Sequence, residues 1–380
     1  MSTSLVVMQP TSLCNLNCSY CYVPGRLQKG NMTDETLAHF FRVLFDSDLA
    51  AQCRLLWHAG EPMAAGLPFY RRMLDIQGRH NHTGRPIDHW IQTNGTLIDD
   101  DWCEFFRQHR VRVSLSLDGP AFLHDQHRRD WSGRGSFARV LRGVEALKRW
   151  QIEFQVLSVV TADTLDFAAE YFAFFLDHGI EWWGFNIEEL NVQTRSSSLV
   201  RREDRADWQD LEQRYKRFVA TLFALWKQHY RDIHIRELSQ VYELVNEKAK
   251  NPRVHRVSEE QVGMDVLNVK KNGDVTTFSP ELIEGNDGDP DAFVLGNVSQ
   301  IRSFGELKET VKYRTMEAEI RSGVERCRRS CAYFDFCGGG HLSAKYFENG
   351  TFDCTETDYC RLHRQAMVDV ILDDLASAPA

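Results

Sequence analysis

The chain has 380 residues, 43% hydrophobic and 11% aromatic, enough to bury a large core as one main domain with a smaller appendage. Its formal net charge of −9 gives no general attraction to phosphate backbones, and the small basic groups at Arg201, Arg202 and Arg205 or at Arg328 and Arg329 sit among acids, so no nucleic-acid partner is expected. No basic segment with a long apolar run opens the chain, and nowhere do about 18 uncharged apolar residues occur together, so neither export nor a membrane span is implied and a cytoplasmic protein is expected.

Taken in chain order, short apolar runs alternate with stretches of helical period. Strands are predicted at 4–9, 54–58, 88–92, 111–117, 153–160 and 182–187. Between the first two, Leu37, Phe40, Phe41 and Leu44 form an i, i+3, i+4, i+7 stripe, with Thr33 as N-cap and Asp34 and Glu35 in the first turn. Further helices fit 67–78, 99–109, 136–150 and 164–177. Strict alternation at roughly 30 residues per unit implies parallel strands with right-handed crossovers, hence an α/β sheet or partial barrel. Sites in such folds gather at the carboxyl ends of strands. Cys14–Cys21, Gly60-Glu61-Pro62, Thr93-Asn94-Gly95 and Asp118-Gly119-Pro120 all follow predicted strands.

Residues 188–206 are polar and read as a linker, followed by a long amphipathic helix marked by Trp208, Leu211, Tyr215, Phe218, Val219, Leu222 and Trp226. The alternation then stops: 266–279 reads as a hairpin turning at Asn272-Gly273, and 327–360 is cysteine-rich with little periodicity. The expected divisions are 1–206, linking helices over 207–262, and a C-terminal domain over 263–380.

Ten cysteines cluster as three between 14 and 21 and five between 327 and 360, with Cys53 and Cys103 alone in apolar or helical contexts and expected to be buried packing residues. Three thiols in CNLNCSYC cannot pair off as disulfides. Zinc prefers four ligands in a closed site, whereas three cysteines on one loop suit a cubane iron–sulfur cluster that leaves one iron without a protein ligand; an incomplete zinc site is the alternative.

CNLNCSYC resembles the CxxxCxφC signature of the radical S-adenosylmethionine (SAM) superfamily. HAGEP (58–62) is similar to that family's GGEP motif, with Ala59 in place of the first glycine, and QTNGTLI (92–98) and SLDGP (116–120) resemble cofactor-holding segments of anaerobic sulfatase-maturating enzymes. The resemblance implies a partial (β/α)6 barrel with a C-terminal SPASM-like iron–sulfur domain, and SAM bound at a [4Fe-4S] cluster held by Cys14, Cys18 and Cys21. Gly60 and Glu61 would then face the SAM ammonium, Ser116 and Arg128 its carboxylate, Gln92, Asn94 and Asp118 the ribose, and Tyr20 the adenine.

Cys327, Cys331 and Cys337 with Gly338-Gly339-Gly340 resemble a SPASM-type segment, which implies one auxiliary [4Fe-4S] cluster with Cys360 as its fourth ligand and Cys354 a spare thiol. Phe278, Ser279 and His341 stand where a two-cluster segment has cysteines. A structural zinc made from the same four is the alternative. GFNIEE (184–189), TTFSPEL (276–282), LGNV (295–298) and CAYFDFCGGG (331–340) look like the GrrM/OscB-like maturases that build three-residue cyclophanes in ribosomally made peptides. That implies a precursor peptide as substrate, a flavodoxin- or ferredoxin-type electron donor, and Glu281, Glu188 and Glu189 as candidate bases, each weighed against a hydrogen-bonding structural role. No leader-binding domain precedes the first strand, so recognition would fall to the catalytic body or to a separate protein. Sulfatase-type Cys or Ser oxidation, thioether formation and an inactive, zinc-stabilised peptide-binding protein remain open.

Overall fold

The computed structural model describes residues 3–200, 208–286 and 288–377; the Arg201, Arg202 and Arg205 group and the expected boundary at 206/207 lie outside them. In chain order the first elements are β1 (Thr3–Met8), α1 (Asp34–Phe45), β2 (Leu49–Trp57), α2 (Leu67–His80), β3 (Asp88–Thr93), α3 (Asp100–His109), β4 (Arg112–Ser116), α4 (Ala121–His127), α5 (Phe137–Arg149), β5 (Phe154–Val160), α6 (Ala168–Asp177) and β6 (Trp182–Ile187). There follow α7 (Trp208–Gln228), β7 (His234–Ile235), α8 (Arg236–Lys250), β8 (Val266–Val269), β9 (Asp274–Thr277), β10 (Gly296–Asn297), α9 (Val311–Ser330), α10 (Phe334–Cys337), α11 (Leu342–Asn349), α12 (Asp358–Cys360) and α13 (Met367–Ser377).

All six predicted strands form. β2 starts earlier than predicted, at Leu49, and its register to β1 shifts between Thr3 and Leu5. α6 starts later, because Thr161 caps a separate short turn at Ala162–Thr164. On α1, Thr33 Oγ1 accepts from Thr36 N at 3.1 Å, a cap typically worth about 1 kcal/mol. Its stripe of Leu37, Phe40, Phe41 and Leu44 is completely buried, each side chain contributing about 1.5–3 kcal/mol.

Contacts divide the chain into two compact units. The first comprises residues up to Ser116, Arg128–Phe154 and Glu259–Ala318. Its sheet runs β10-β9-β8-β1-β2-β3-β4, parallel from β8 to β4, with β9 and β10 antiparallel. This departs from the expected boundary at 262/263, and the reason is β8: Leu5–Met8 pairs in parallel with Val266–Val269, which fastens the 266–279 hairpin to the first strand of the chain. The hairpin itself forms as read, with Gly273 at φ +90° in its turn.

The second unit comprises Leu117–His127, Gln155–Ser258 and Glu319–Ala380. Here β5, β6 and β7 pair in parallel. The predicted α7 stripe is buried, and Tyr215 OH meets His363 Nδ1 at 3.0 Å. The cysteine-rich stretch is helical in short pieces, α10 and α11 ending at Gly338 and Gly350, both left-handed; elements of one or two turns are too short to show an amphipathic period. Among the described residues no helix is long and apolar enough to cross a membrane.

Candidate functional site: two cysteine centres

In the first unit the chain leaves β1 at Met8 and enters the loop that carries Cys14, Cys18 and Cys21. The Gly-Glu loop after β2 is stitched to it. Glu61 N donates to Leu13 O at 2.9 Å, and a Cβ at Gly60 (φ +81°) would lie 2.4 Å from Thr11 O, so only glycine fits. Ala59 before it also has positive φ, +64°, a left-handed position at which the resembling motif carries glycine.

Two residues that no motif marked clamp the thiol loop. Trp131 Nε1 donates to Cys14 O at 2.9 Å, Arg26 Nη1 to Cys18 O at 3.3 Å, and the Arg26 guanidinium lies 5.4 Å from the Trp131 ring centroid. Leu16 is fully buried and bridges to Asp130. Cys14 Sγ receives Leu16 N at 3.4 Å and Asn94 Nδ2 at 3.9 Å. Burial pushes the Cys14 thiol well above its ordinary range, with Glu61, Cys18 and Cys21 adding to it. A metal that binds these thiols must displace their protons.

Within the first unit several of the expected cofactor residues contact one another. Glu61 is buried and links two strand ends: Met63 N (3.0 Å) and Thr93 Oγ1 (2.7 Å) donate to one carboxylate oxygen, Asn94 N (2.8 Å) to the other. Burial raises it to about 7 despite these three donors. Asn94 Nδ2 also donates to Asn15 Oδ1 at 2.8 Å, and Gln92 Nε2 to Ser116 Oγ at 3.0 Å. The Arg128 guanidinium stands 5.3 Å from the Tyr20 ring centroid. Asp118 belongs to the second unit, where its carboxylate accepts from Val159 N at 2.9 Å and Gly119 (φ +79°) leaves room for the Tyr171 ring.

The second unit holds the other centre. Cys327 at the end of α9, Cys331, Cys337 on α10 and Cys360 on α12 wall a cavity of about 330 Å³, together with Tyr333, Gly340, Thr355 and Arg364. Cys354 is not among its walls; its sulfur receives Asn349 Nδ2 at 3.3 Å. Burial, with Cys337 adding to it, pushes Cys360 up to about 12. Burial first, then Cys337, also raises Cys331, and Cys327 rises with burial, Cys337 and Cys331 against the opposing Lys345. Donors point at the sulfurs: Thr357 N (3.3 Å) and Gln365 Nε2 (3.8 Å) at Cys360, and Gly339 N (3.5 Å) at Cys337. Among the described residues no three such side chains converge as they would on a single ion. Four soft thiols around open space are a donor set suited to iron–sulfur chemistry.

The three candidate bases have different partners. Glu188 accepts from Ser198 N at 2.6 Å and from its hydroxyl, closing its own loop. Glu189 holds His341 Nε2 at 3.2 Å and Ser343 Oγ at 2.8 Å. Glu281, in the first unit, accepts from Ser279 Oγ at 2.5 Å. It stands two residues before Ile283, which packs with Val23 and Ala59 against Cys21 and Tyr22. Cys53 and Cys103 are fully buried, as packing residues should be.

The profile of the Radical SAM superfamily matches residues 8–166, the stretch that contains CNLNCSYC, HAGEP and SLDGP. Over 98% of its length the chain is 37% identical to an uncharacterized protein of Synechocystis sp., of which it covers 92%. The chain belongs to the radical SAM superfamily. Among its radical SAM relatives, the cysteine-type anaerobic sulfatase-maturating enzyme of Clostridium perfringens is 28% identical over 89% of this chain and 88% of its own. Solved structures share the α/β fold: native anSMEcpe with bound AdoMet and Cp18Cys peptide (TM-score 0.80, 24% identity, 99% of this chain and 98% of that one) and Streptococcus suis SuiB bound to precursor peptide SuiA (TM-score 0.63, 15% identity, 95% and 76%).

Proposed function

We propose that this chain is a radical SAM peptide maturase that installs a three-residue cyclophane, an aromatic ring carbon joined to the β-carbon of a residue two positions later, in a ribosomally made precursor. The observation that carries this reading is that, among the described residues, four thiols wall one cavity. The positions at which a two-cluster SPASM segment places further cysteines are committed elsewhere: Phe278 stacks on Tyr313 at 5.7 Å, Ser279 is fully buried, and His341 pairs with Glu189. One auxiliary centre fits the GrrM/OscB-like pattern better than the sulfatase-maturase one. A zinc site draws its four sulfurs to about 2.3 Å from one ion, whereas these thiols stand around room for a larger group.

In this reading Cys14, Cys18 and Cys21 would hold the SAM-binding [4Fe-4S] cluster, and Cys327, Cys331, Cys337 and Cys360 would hold an auxiliary [4Fe-4S] cluster. When bound, these groups supply a hydrogen-abstracting radical and an electron acceptor. The chain's residues do the rest. Glu61 offers the SAM ammonium its remaining acceptor capacity while tying the β2 and β3 ends together. Asn94, Gln92 and Ser116 present short polar groups to ribose and carboxylate; Arg128 and Tyr20 flank the nucleotide. Crosslinking removes two hydrogens from the peptide, one as an atom and one as a proton plus an electron. Glu281 is the proposed proton acceptor, since Glu188 is bound to Ser198 in its own loop and Glu189 to His341 and Ser343, while Glu281 stands two residues before Ile283, which packs against Cys21. An external flavodoxin- or ferredoxin-type donor supplies the initiating electron, and a separate protein or the catalytic body recognises the leader.

Similarity to the Clostridium relative along 88% of its length supports sulfatase-type oxidation as the second reading. Anaerobic co-expression with a candidate precursor, followed by tandem mass spectrometry, separates the two. A product lighter by two hydrogens that resists fragmentation between an aromatic residue and its partner supports the cyclophane; an oxidised Cys or Ser with free aromatic residues refutes it.

A further inference from the structure

Lys345, on α11, is only 1% exposed, and among the described residues the one hydrogen bond its ammonium makes runs to sulfur, with Nζ 3.7 Å from Cys327 Sγ. No carboxylate among the described residues stands within ion-pair distance of it. The fold makes room for this side chain at two glycines. A Cβ on Gly340 (φ +95°) would fall 3.0 Å from Lys345 Cε, and one on Gly323 would fall 2.2 Å from Phe352 O and 3.1 Å from Lys345 Nζ. A buried ammonium whose sole acceptor is a sulfur is costly unless a negative group completes its surroundings. The other donors to these sulfurs, the Thr357 and Gly339 amides and the Gln365 carboxamide, are neutral.

We infer that Lys345 sets the reduction potential of the auxiliary cluster, its buried ammonium favouring the one-electron-reduced state over the oxidised one. The inference rests on the reading above that the four thiols hold such a cluster. A [4Fe-4S] core with four thiolates is already negative, and an added electron makes it more so, so a fixed positive charge against one ligand sulfur stabilises the reduced form more than the oxidised form. Hydrogen bonding to ligand sulfur acts in the same direction. The electron required is the one released when the crosslinked peptide loses its second hydrogen as a proton, so a raised potential makes the cluster a better acceptor.

The test uses the full chain with Cys14, Cys18 and Cys21 changed to Ala, so that only the second cluster is observed. Lys345→Met, Lys345→Gln and Lys345→Arg are added singly, and each protein is reconstituted anaerobically, assayed for iron and sulfide, and titrated by EPR. Met and Gln should lower the reduction equilibrium constant at least about tenfold, equivalent to about 59 mV for one electron, with Arg staying near the parent value. A fully loaded Gln variant with the parent's midpoint overturns the inference while leaving the auxiliary cluster intact. Loss of the cluster in Met and Gln with retention in Arg assigns the charge to assembly and overturns it as stated. If the parent itself assembles no second cluster, the cluster reading falls, and this inference with it.

Discussion

Three thiols on the loop after β1 and four around the α9–α12 cavity differ chiefly in what stands beside the sulfurs. Beside Cys14 lie Asn94, the end of β3, and Glu61, a buried acid at the end of β2, so the loop faces the polar ends of parallel strands. Beside Cys327 and Cys360 lie the ends of short helices, backbone amides and one buried lysine. The first centre has one thiolate too few for a cubane and polar groups suited to a zwitterionic nucleotide; the second has a full set and donors to its sulfurs. On the proposed reading, one side-chain type would serve an open, substrate-binding cluster in one unit and a closed, electron-handling one in the other, with the ligand count deciding which.

Removing a ligand from each centre should break this contrast most sharply. Cys18→Ala should cut 5′-deoxyadenosine release in reduced, SAM-treated protein to below about a thousandth of wild type while leaving the second cluster's iron in place. Release at wild-type rates would mean that Cys18 is not a ligand. At the other centre, Cys360→Ala should reduce iron content by about half, and Cys354→Ala should change it little, as iron and sulfide analysis will show. The reverse order would make Cys354 the fourth ligand.

A smaller effect belongs to Glu61. Its folded value of about 7 lies above the ordinary 4.5, so the folded apo chain holds a proton that the unfolded chain releases. Ionising it in place costs stability, absent below about 4.5 and fully present above about 7, and apo-protein melting temperature should therefore fall as pH rises through that window. A bound ammonium favours the ionised acid, so SAM affinity should rise over the same range, and calorimetry of Glu61→Gln should show that dependence flattened. The smallest expected change is Ala59→Gly. Relieving a left-handed alanine at φ +64° gains about 1 kcal/mol, partly offset by glycine's greater freedom when unfolded, so melting should rise by about 1–2 °C.

Much of this was legible in sequence because it is local. Six β-rich runs, the stripe of α1 and the spacing of Cys14, Cys18 and Cys21 depend on residues within one element or one loop. Cys360, and not Cys354, lines the cavity. What escaped is non-local. Nothing in VLNV announces that it pairs with Leu5–Met8 some 261 residues away, since a short apolar run is compatible with many partners. Arg26 and Trp131 belong to no repeating pattern, and only the folded loop shows that they clamp Cys18 and Cys14. Lys345 is likewise an ordinary helix residue until its burial against Cys327 is seen.

The contrast between the centres is tested most directly by EPR of the anaerobically reconstituted, reduced chain before and after SAM is added. Two cluster signals are predicted, of which SAM shifts the one lost in Cys18→Ala and leaves the one lost in Cys360→Ala unchanged. A single signal, or a shift by SAM of the signal that depends on Cys360, would contradict the assignment of an open cluster to the first centre and a fully ligated one to the second.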